Sequence, residues 1–465
     1  MALNRQGARK THNHPIAAPV HHAGATAELP IDRLPEGGIS GETAYELISS
    51  ELLLDGQARL NLATFVTTWM PSIAARLMAD TADKNMIDKD EYPQTAELES
   101  RCVNILAELW GSPDHEHATG CSTTGSSEAA MLAGLALKWR WRERRRAAGK
   151  PTDRPNLVMG VNVQVCWDKF CRYWDVEPRL VPMEGDRFHL RPAEAIAQCD
   201  ENTIGVVTIL GSTFDGSYEP VKQISTALDE LERDRGLYVP IHVDAASGGF
   251  VAPFLAPELE WDFRIERVQS INASGHKYGL VYPGVGWAIW RDKQALPSDL
   301  IFDVNYLGGH MPTFALNFSR PGSEVIAQYF MFMHLGREGY RQTLQTAQDV
   351  ALHLSEEIAK LGPYRLISEG RELPVFSFAL APEVENYSVF DVSDRLRQNG
   401  WLVPAYTFPA NRTDLSVLRI VVRAGMTHEM AELLLGHLGE QTKFLESLDR
   451  PLPGENPDRR KAFAH

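Results

Sequence analysis

A lysine follows directly after a run of residues that predicts a buried strand. The run is Gln269 to Ala273, and Ser274-Gly275-His276-Lys277 comes next. Burying an ammonium group is costly unless a partner neutralises it or the amine loses its charge. We therefore expect the amine of Lys277 to take part in chemistry, and covalent bonding to an aldehyde carbon suits a lysine in this place.

An aspartate ends a second predicted strand. The run from Tyr238 leads to Asp244, and strand alternation puts His242 and Asp244 on one face, at the edge where open α/β sheets bind ligands. A lysine and an aspartate on neighbouring strand ends suit pyridoxal phosphate, because the lysine bonds to the cofactor and the acid keeps its ring nitrogen protonated. For His242 we predict a hydrogen-bonded core role, which is commoner than catalysis for a histidine inside an apolar strand.

A helix start supplies the third requirement, a phosphate site. Gly125-Ser126-Ser127-Glu128 precedes an apolar helix that begins near Ala129. Two hydroxyls and free backbone N–H groups at a helix N-terminus favour an anion, although this sequence alone is more typical of a simple cap. Together with Asp244 and Lys277, each at a predicted edge of one sheet, it predicts a pyridoxal-phosphate enzyme.

The elements that must position these residues alternate between strand and helix. Strands are predicted at 156–159, 205–210, 238–243, 269–273 and 286–290, and helices at 95–110, from 126 onward and at 322–346. This alternation indicates an α/β fold with a large, doubly wound, mainly parallel sheet.

The C-terminal third predicts a smaller α+β domain. Its expected helices are 350–361 and 389–399, and its expected strands are 364–367, 375–380 and 418–422. The predicted division is an N-terminal arm with a helical segment at 1–60, a large domain at 61–346, a small domain at 347–450 and a mobile tail at 451–465.

Composition excludes several classes of protein. The 465 residues carry a formal net charge of -15 and are 44% hydrophobic, which argues against disorder and against general binding to nucleic acid or anionic membranes. No apolar run is long enough to cross a bilayer, so we expect no stable membrane insertion. The five scattered cysteines are typical of free thiols in a reducing cytoplasm.

Two further segments have more ordinary explanations than the functions they suggest. The histidines and acids of 114–117 match no standard metal spacing and predict a solvated turn, so we expect no metal site. The basic and aromatic run at 138–146 predicts a helix with tryptophans packed inward rather than a nucleic-acid site.

Longer motifs identify the chain as similar to the pyridoxal-phosphate-dependent glutamate decarboxylases of bacteria and plants. The resemblance runs from about Tyr45 to Leu445, and its motifs lie at 61–65, 84–93, 124–129, 244–250 and 274–277. The last two are shared more loosely with related amino-acid decarboxylases, whereas 61–65 and 84–93 are more specific to the glutamate enzymes. The resemblance implies a fold type I enzyme that converts L-glutamate to 4-aminobutyrate and carbon dioxide and consumes a proton.

The same resemblance implies roles around the cofactor. Lys277 is the covalent anchor, and Asp244 is the partner of the ring nitrogen. Ala246 and Gln164 lie on opposite faces of the ring, and Thr213 bonds near the ring oxygen or the Asp244 carboxylate. The phosphate is held by Ser126, Ser127, His276 and, from a partner subunit, Ser319.

For the substrate, the resemblance implies two carboxylate contacts. Thr64, Phe65, Asn85 and Asp88 hold the side-chain carboxylate of glutamate, and Arg423 holds the α-carboxylate. An aspartate beside a carboxylate requires a shared proton, which predicts an acidic working pH. Tyr306, on a glycine-flanked loop, is the expected proton donor to Cα.

Assembly and regulation are also implied. We expect a homo-oligomer, either a dimer or a hexamer. The last residue, His465, is a candidate pH-dependent plug of the active site, and an end without a role is an equal alternative. Two other functions stay open, namely a decarboxylase for a different amino acid and a catalytically silent scaffold of the same fold.

Overall fold

The computed structural model of the chain describes residues 32–305 and 311–448. Tyr306, His465 and the N-terminal histidines therefore lie outside the described residues. The helices are α1 Gly41–Leu52, α2 Ser72–Asp80, α3 Pro93–Leu109, α4 Ser126–Ala147, α5 Val165–Tyr173, α6 Pro192–Ala197, α7 Val221–Arg235, α8 Ala252–Leu255, α9 Ser323–Lys360, α10 Val389–Gln398 and α11 His428–Glu446. The strands are β1 Thr119–Thr123, β2 Asn156–Gly160, β3 Glu177–Val181, β4 Thr203–Ile209, β5 Ile241–Asp244, β6 Val268–Ala273, β7 Gly286–Trp290, β8 Phe302–Val304, β9 Met311–Thr313, β10 Tyr364–Leu366, β11 Val375–Leu380, β12 Ala405–Thr407 and β13 Ser416–Val421.

The chain divides into two compact units, residues 1–57 and 58–465. In the first unit, α1 begins after Ser40, whose hydroxyl accepts a hydrogen bond from the Thr43 N–H at 3.1 Å. This side chain satisfies one of the free donors at the helix N-terminus. The second unit contains both large sheets, and the domain bounds given above stay a prediction.

A seven-stranded sheet organises the second unit, in the order β1-β7-β6-β5-β4-β2-β3. Strand β7 runs antiparallel to both neighbours, and the other neighbouring strands pair in parallel. Every residue of β4 is buried, as expected for a strand covered by helices on both faces. This arrangement confirms the predicted mainly parallel α/β fold.

The direction of the strands brings the sequence-predicted motifs to one edge. Strands β1, β2, β4, β5 and β6 point the same way, so the segments that follow them start at the same edge of the sheet. In open α/β sheets this carboxyl edge is where ligands bind.

The C-terminal sheet is antiparallel, with the order β10-β11-β13-β12. It packs on α9, α10 and α11 around a second apolar core that includes Phe376, Leu354 and Leu434. A side-chain capping box between Ser388 and Asp391 starts α10. The expected C-terminal α+β arrangement is therefore present.

The structure differs from the local predictions at several places. The edge strands β1 and β3 were not predicted, because β1 is rich in Ser, Thr and Gly and β3 is largely exposed and contains Pro178. The segment at 350–361 is not a separate helix, since α9 continues through it. The interruption in α9 lies earlier, at Gly336, which has φ 58° and ψ -173°. Among the described residues, no helix is both long and apolar enough to cross a membrane.

Candidate active site

A cavity of about 300 Å³ lies at the carboxyl edge of the large sheet. It is lined by residues that follow β2, β4, β5 and β6 and by the start of α4. The sequence-predicted residues that line it are Ser126, Ser127, Gln164, Thr213, Asp244, Ala246, His276 and Lys277. Segments far apart in the chain thus converge as strand direction predicted.

The lysine amine is held in a site that favours its neutral form. Lys277 Nζ donates a hydrogen bond to Ser247 Oγ at 3.1 Å and lies 5.0 Å from the centre of the Phe65 ring. Burial lowers the pKa of Lys277, although the negative charge of Asp244 opposes this shift. A larger neutral fraction makes the amine a better nucleophile toward an aldehyde.

Three donors fix the carboxylate of Asp244. The indole N–H of Trp167 donates to Oδ2 at 2.8 Å, and Oδ1 accepts from Asn272 Nδ2 at 3.0 Å and from the Ala246 N–H at 3.2 Å. Strand register produces the Asn272 contact, because Asp244 of β5 pairs with Asn272 of β6. A buried carboxylate requires such partners, and these also set its direction.

His242 supports this arrangement from within the sheet. The residue is fully buried, with Nε2 2.7 Å from Asn272 Oδ1 and Nδ1 2.8 Å from Ser270 Oγ. Burial lowers the pKa of His242 to about 4, so the ring is neutral near pH 7. When Nε2 donates to Asn272 Oδ1, the Asn272 amide nitrogen is directed toward Asp244. The predicted core role of His242 is confirmed.

The start of α4 forms the opposite end of the cavity. Ser126 Oγ lies 2.6 Å from Ser274 Oγ, which connects the helix start to the segment after β6. The Gly284 N–H donates to His276 Nδ1 at 3.4 Å, which leaves the ring proton on Nε2. Burial, followed by the charge of Lys277, lowers the pKa of His276 to about 4. Hydroxyls, helix N–H groups and an imidazole N–H form a donor set suited to a phosphate.

A buried acid holds the loop before α4. Glu128 Oε2 accepts from the Thr124 N–H at 2.8 Å and from Thr124 Oγ1 at 2.9 Å. Its Oε1 accepts from the backbone N–H groups of Leu316 and Asn317 at 3.0 and 3.4 Å. Glu128 therefore positions the loop without lying among the predicted phosphate contacts.

Two other predicted ring contacts have structural partners of their own. Gln164 caps α5, since its Oε1 accepts from the Cys166 N–H at 2.7 Å. The Thr213 carbonyl accepts from the buried guanidinium of Arg419, which also donates to the Ala63 carbonyl at 2.7 Å. The Asp244 carboxylate is one of the two partners predicted for Thr213. It accepts hydrogen bonds from Trp167, Asn272 and the Ala246 N–H.

The segment with Thr64 and Phe65 lies against the lysine strand end. The Thr67 N–H donates to the His276 carbonyl at 2.7 Å, and Thr67 Oγ1 donates to the Lys277 carbonyl at 2.5 Å. Phe65 is thereby placed beside the Lys277 amine.

Arg423 binds the backbone of the same segment. Its guanidinium donates to the Val66 carbonyl at 2.8 Å, to Thr68 Oγ1 at 2.7 Å and to the Asn61 carbonyl. Its buried Nε has no hydrogen-bond partner among the described residues. Neither Arg423 nor the Thr64–Phe65 pair lines the cavity itself.

The remaining predicted residues form a separate group. Asn85 Nδ2 donates to Asp88 Oδ2 at 3.0 Å and to Ser319 Oγ at 3.3 Å, and its Oδ1 accepts from the Arg320 N–H at 3.1 Å. Within the described part of one chain, none of Asn85, Asp88 and Ser319 lines the cavity at Lys277.

Comparison with known proteins decides the family. Residues 41–381 match the pyridoxal-dependent decarboxylase conserved domain. The glutamate decarboxylase of Aliivibrio fischeri is 56% identical over 424 residues, which cover 91% of this chain and 91% of that protein. The chain belongs to the glutamate decarboxylase family. Pyridoxal phosphate is accordingly the cofactor of this enzyme.

Plant and structural relatives agree with this family. Glutamate decarboxylase 5 of Arabidopsis thaliana is 49% identical over 91% of this chain and 86% of its own length. The solved structure of the Lactobacillus brevis glutamate decarboxylase superposes with a TM-score of 0.89 at 46% identity and covers 92% of this chain and 98% of that one. The enzyme therefore has the fold type I architecture expected from its motifs.

Sequence reasoning missed several residues that organise the site of this decarboxylase. These are Trp167, Ser247, Asn272, Ser274 and Arg419. Asn272 and Ser274 flank the predicted end of β6, and alternation along β6 was a usable signal for Asn272. Trp167 and Arg419 gave no such signal, because their contacts arise only when α5 and β13 pack against the sheet.

Proposed function

We propose that this enzyme decarboxylates L-glutamate to 4-aminobutyrate and carbon dioxide and takes up one proton. The observation that carries the proposal is the pairing, in one cavity, of a Lys277 amine with a lowered pKa and an Asp244 carboxylate held by three donors. The family relationship supports glutamate as the substrate, since the matched relatives are glutamate decarboxylases.

The cavity residues suit the phosphate, the ring nitrogen and the aldehyde of pyridoxal phosphate. Ser126, Ser127 and His276 would hold the phosphate, Asp244 would hold the ring nitrogen protonated, and Lys277 would bond to the aldehyde carbon. When bound, the cofactor accepts the electron pair left by departing carbon dioxide. The donors around Asp244 keep its carboxylate in place while that charge develops, which lowers the cost of reorganisation.

The chain itself must then deliver a proton to Cα. Tyr306 is our candidate, although it lies outside the described residues. The Lys277 amine is a second group near the reacting carbon, and its lowered pKa allows it to release a proton as well as to accept one.

Substrate carboxylates require cations or donors beside Lys277. Arg423 would take the α-carboxylate through its Nε, which has no hydrogen-bond partner in the described part of the chain, and Thr64 and Phe65 would border the side chain. Arg419 lies with its guanidinium 4.9 Å from the Phe65 ring centre and adds a second buried positive charge near this segment.

Asn85, Asp88 and Ser319 would serve the active site of a second copy of the chain. Because Ser319 contacts Asn85 directly, a partner that supplies Ser319 to the phosphate also supplies Asn85 and Asp88 to the substrate. This arrangement requires a homodimer at least. It also supports an acidic working pH, since the Asp88 carboxylate and the substrate carboxylate must share a proton.

Two finer assignments belong to the same proposal. His465 and the N-terminal histidines are candidates for the groups that switch off activity as pH rises toward neutral. Truncation after Pro457 tests the role of His465.

A cytoplasmic location is supported by the five cysteines, all of which are buried free thiols.

Product analysis tests the function. The purified enzyme with added pyridoxal phosphate should release 4-aminobutyrate from L-glutamate and little product from L-aspartate. A preference for aspartate or another amino acid would overturn the substrate assignment.

Replacing the proposed anchor tests the mechanism. Lys277→Ala should abolish turnover and the visible absorbance of the lysine-bound cofactor while leaving the fold intact, as judged by circular dichroism. Lys222→Ala, which alters an exposed lysine paired with Glu260, is the matched control and should keep full activity. Normal turnover by Lys277→Ala would exclude the assigned chemistry, and an inactive wild-type chain would favour the silent scaffold.

A further inference from the structure

Two histidines and a glutamate meet on the surface between α9 and α11, in a cluster that we call the His353 cluster. It consists of His353 on α9 and of His428 and Glu432 on α11. His353 Nε2 lies 2.6 Å from Glu432 Oε1, and His428 Nδ1 lies 3.7 Å from the same oxygen. The ring centres of the two histidines are 4.5 Å apart. Three potential metal-ligand atoms thus lie within 4.8 Å of one another.

The backbone under this cluster is anchored by buried neighbours. Leu354 and Ala431, the chain neighbours of His353 and Glu432, are both fully buried in the C-terminal apolar core. His428 and Glu432 are four residues apart, and this spacing puts both on one face of α11. The helix begins there because Thr427 Oγ1 accepts from the Met430 N–H at 3.3 Å. Only side-chain rotation is needed to adjust the three ligand atoms.

The donor set and its geometry suit a borderline transition metal. Zinc is bound by imidazole nitrogen and carboxylate oxygen at about 2.0–2.2 Å, which puts the ligand atoms of a tetrahedral site roughly 3.3 Å apart. The distances of 2.6 and 3.7 Å lie on either side of that separation. Hard cations such as Mg²⁺ prefer oxygen ligands and do not match two imidazoles.

We propose that the His353 cluster binds one Zn²⁺ ion, with His353, His428 and Glu432 as ligands and water in the fourth position. None of these residues takes part in the proposed decarboxylation. The ion would connect the C-terminal half of α9 to the first turns of α11. Because it binds the folded chain, it would stabilise this part of the enzyme, and the gain would grow with the logarithm of the zinc concentration once that concentration exceeds the Kd.

Zinc titration of the holoenzyme tests the site. Isothermal titration calorimetry should show that His353→Ala and His428→Ala each lose one zinc equivalent relative to the wild type. Glu432→Gln, which keeps the shape but removes the charge, should bind at least about tenfold more weakly. Any zinc bound by other histidines is the same in the wild type and in these variants. The difference in zinc stoichiometry between them therefore reports on the His353 cluster alone.

A double variant at 115 and 117 provides the matched control. His115→Ala/His117→Ala removes two histidines from an acidic turn in which His117 pairs only weakly with Asp114, at 3.3 Å. It should bind as much zinc as the wild type. Mg²⁺ should give no heat assignable to the cluster in any of these proteins.

A local measurement separates binding at the cluster from binding elsewhere. Zinc should slow amide hydrogen exchange in the first turns of α11 in the wild type and in the 115/117 variant, and not in His353→Ala. The proposal is overturned if His353→Ala and His428→Ala retain the wild-type zinc stoichiometry, or if zinc leaves exchange in α11 unchanged. Decarboxylase activity plays no part in these readouts, so the site can fail while the proposed function stands.

Discussion

At the residue scale, the site depends on polar side chains that hold other side chains. Asp244 is directed by Trp167 and Asn272, and Asn272 is directed in turn by His242. Such a chain of buried hydrogen bonds fixes one orientation of the carboxylate, because any other leaves a donor or acceptor without a partner. The residues proposed to contact the cofactor are thus only part of what the proposed chemistry requires.

Trp167→Phe tests this support. Phenylalanine keeps an aromatic ring against His242, whose centre is 5.1 Å from the Trp167 ring, but removes the N–H that reaches Asp244. Since two donors to Asp244 remain, we expect a cost of about 1–2 kcal/mol, seen as roughly five- to thirtyfold weaker pyridoxal phosphate binding. A fluorescence titration of the apoenzyme measures this affinity.

Trp141→Phe is the control for that substitution. Trp141 is also buried, and its N–H donates to the Glu201 carbonyl at 3.0 Å, outside the cavity. Its replacement should leave cofactor affinity unchanged. Equal affinities for Trp167→Phe and the wild type would remove Trp167 from the support of Asp244.

Gly286→Ala tests how closely β7 approaches the loop before α4, where Gly125 meets Ser126. An added Cβ would lie 2.4 Å from the Gly125 carbonyl carbon and 2.7 Å from the Ser126 nitrogen, so the backbone must shift. We expect about 1–3 kcal/mol of strain and a matching loss of cofactor affinity. Gly436→Ala, where no atom of the described residues lies within 4 Å of the added Cβ, should leave affinity unchanged. Wild-type affinity in Gly286→Ala would show that the loop has room to move.

At the element scale, the loop from 211 to 217 connects the large sheet to the C-terminal sheet. It carries Thr213 into the cavity, and its carbonyls accept from Tyr406 and Arg419 of the C-terminal part. Within it, Asp215 Oδ2 lies 2.9 Å from His189 Nε2 and accepts from Ser217 Oγ at 3.0 Å. The position of Thr213 therefore depends on an ion pair outside the active site.

The His189–Asp215 pair predicts a pH-dependent contribution to stability. Burial alone lowers the pKa of His189, but the hydrogen bond and charge of Asp215 outweigh it and raise that pKa above the ordinary 6.5. Burial raises the pKa of Asp215, but His189 and Ser217 outweigh it and lower that pKa below 3.8. The contribution of His189 to folding stability is complete below pH 6.5 and is lost as pH rises through its raised pKa. The contribution of Asp215 is complete above pH 3.8 and is lost as pH falls through its lowered pKa. The pair therefore stabilises the fold most between pH 3.8 and pH 6.5.

His189→Gln tests this window. We expect it to lower the free energy of unfolding by roughly 1–3 kcal/mol at pH 5 and by less at pH 8, measured by denaturant titration. His117→Gln alters an exposed histidine near Asp114 and should have little effect at either pH. An equal loss at both pH values would mean that the charge on His189 contributes nothing.

At the scale of the whole molecule, the described part of one chain does not bring all of its predicted site residues together. Lys277 and Asp244 line the cavity, whereas Asn85, Asp88 and Ser319 contact one another elsewhere. In a two-fold symmetric dimer the same surface serves both copies, so each copy can supply this group to its partner. We therefore expect the active enzyme to contain at least two chains.

Mixing one variant that binds glutamate weakly with one inactive variant tests the shared site. Asp88→Ala should raise the KM for glutamate more than it weakens cofactor binding, and Lys277→Ala should be inactive. In an equal mixture that has re-equilibrated, half of the dimers are hybrids of the two variants. If Asp88 and Lys277 act in different copies, each hybrid has one intact site out of two. The mixture should then recover about a quarter of the wild-type activity at low glutamate. No recovery, in a mixture shown by mass spectrometry to contain hybrids, would place Asp88 and Lys277 in the same copy.

The sequence by itself determined the fold class, the family motifs and the edge at which Asp244, Lys277 and Ser126 meet. Strand alternation and helix starts depend on residues close together in the chain, and the general rule that parallel strands share a carboxyl edge then places their ends together. The structure confirmed the predicted strand over 286–290 and the predicted start of α4 at Ser126.

Only the tertiary structure decided which distant residues support that edge. The bonds from Trp167 to Asp244 and from Arg419 to Thr213 join residues 77 and 206 positions apart in the chain, and no local pattern encodes them. The same holds for the His353 cluster. The spacing of His428 and Glu432 was visible along one helix, but their approach to His353 depends on how α9 and α11 pack on a common core. Packing of remote elements is a property of the whole fold, so its contacts appear only when the chain is folded.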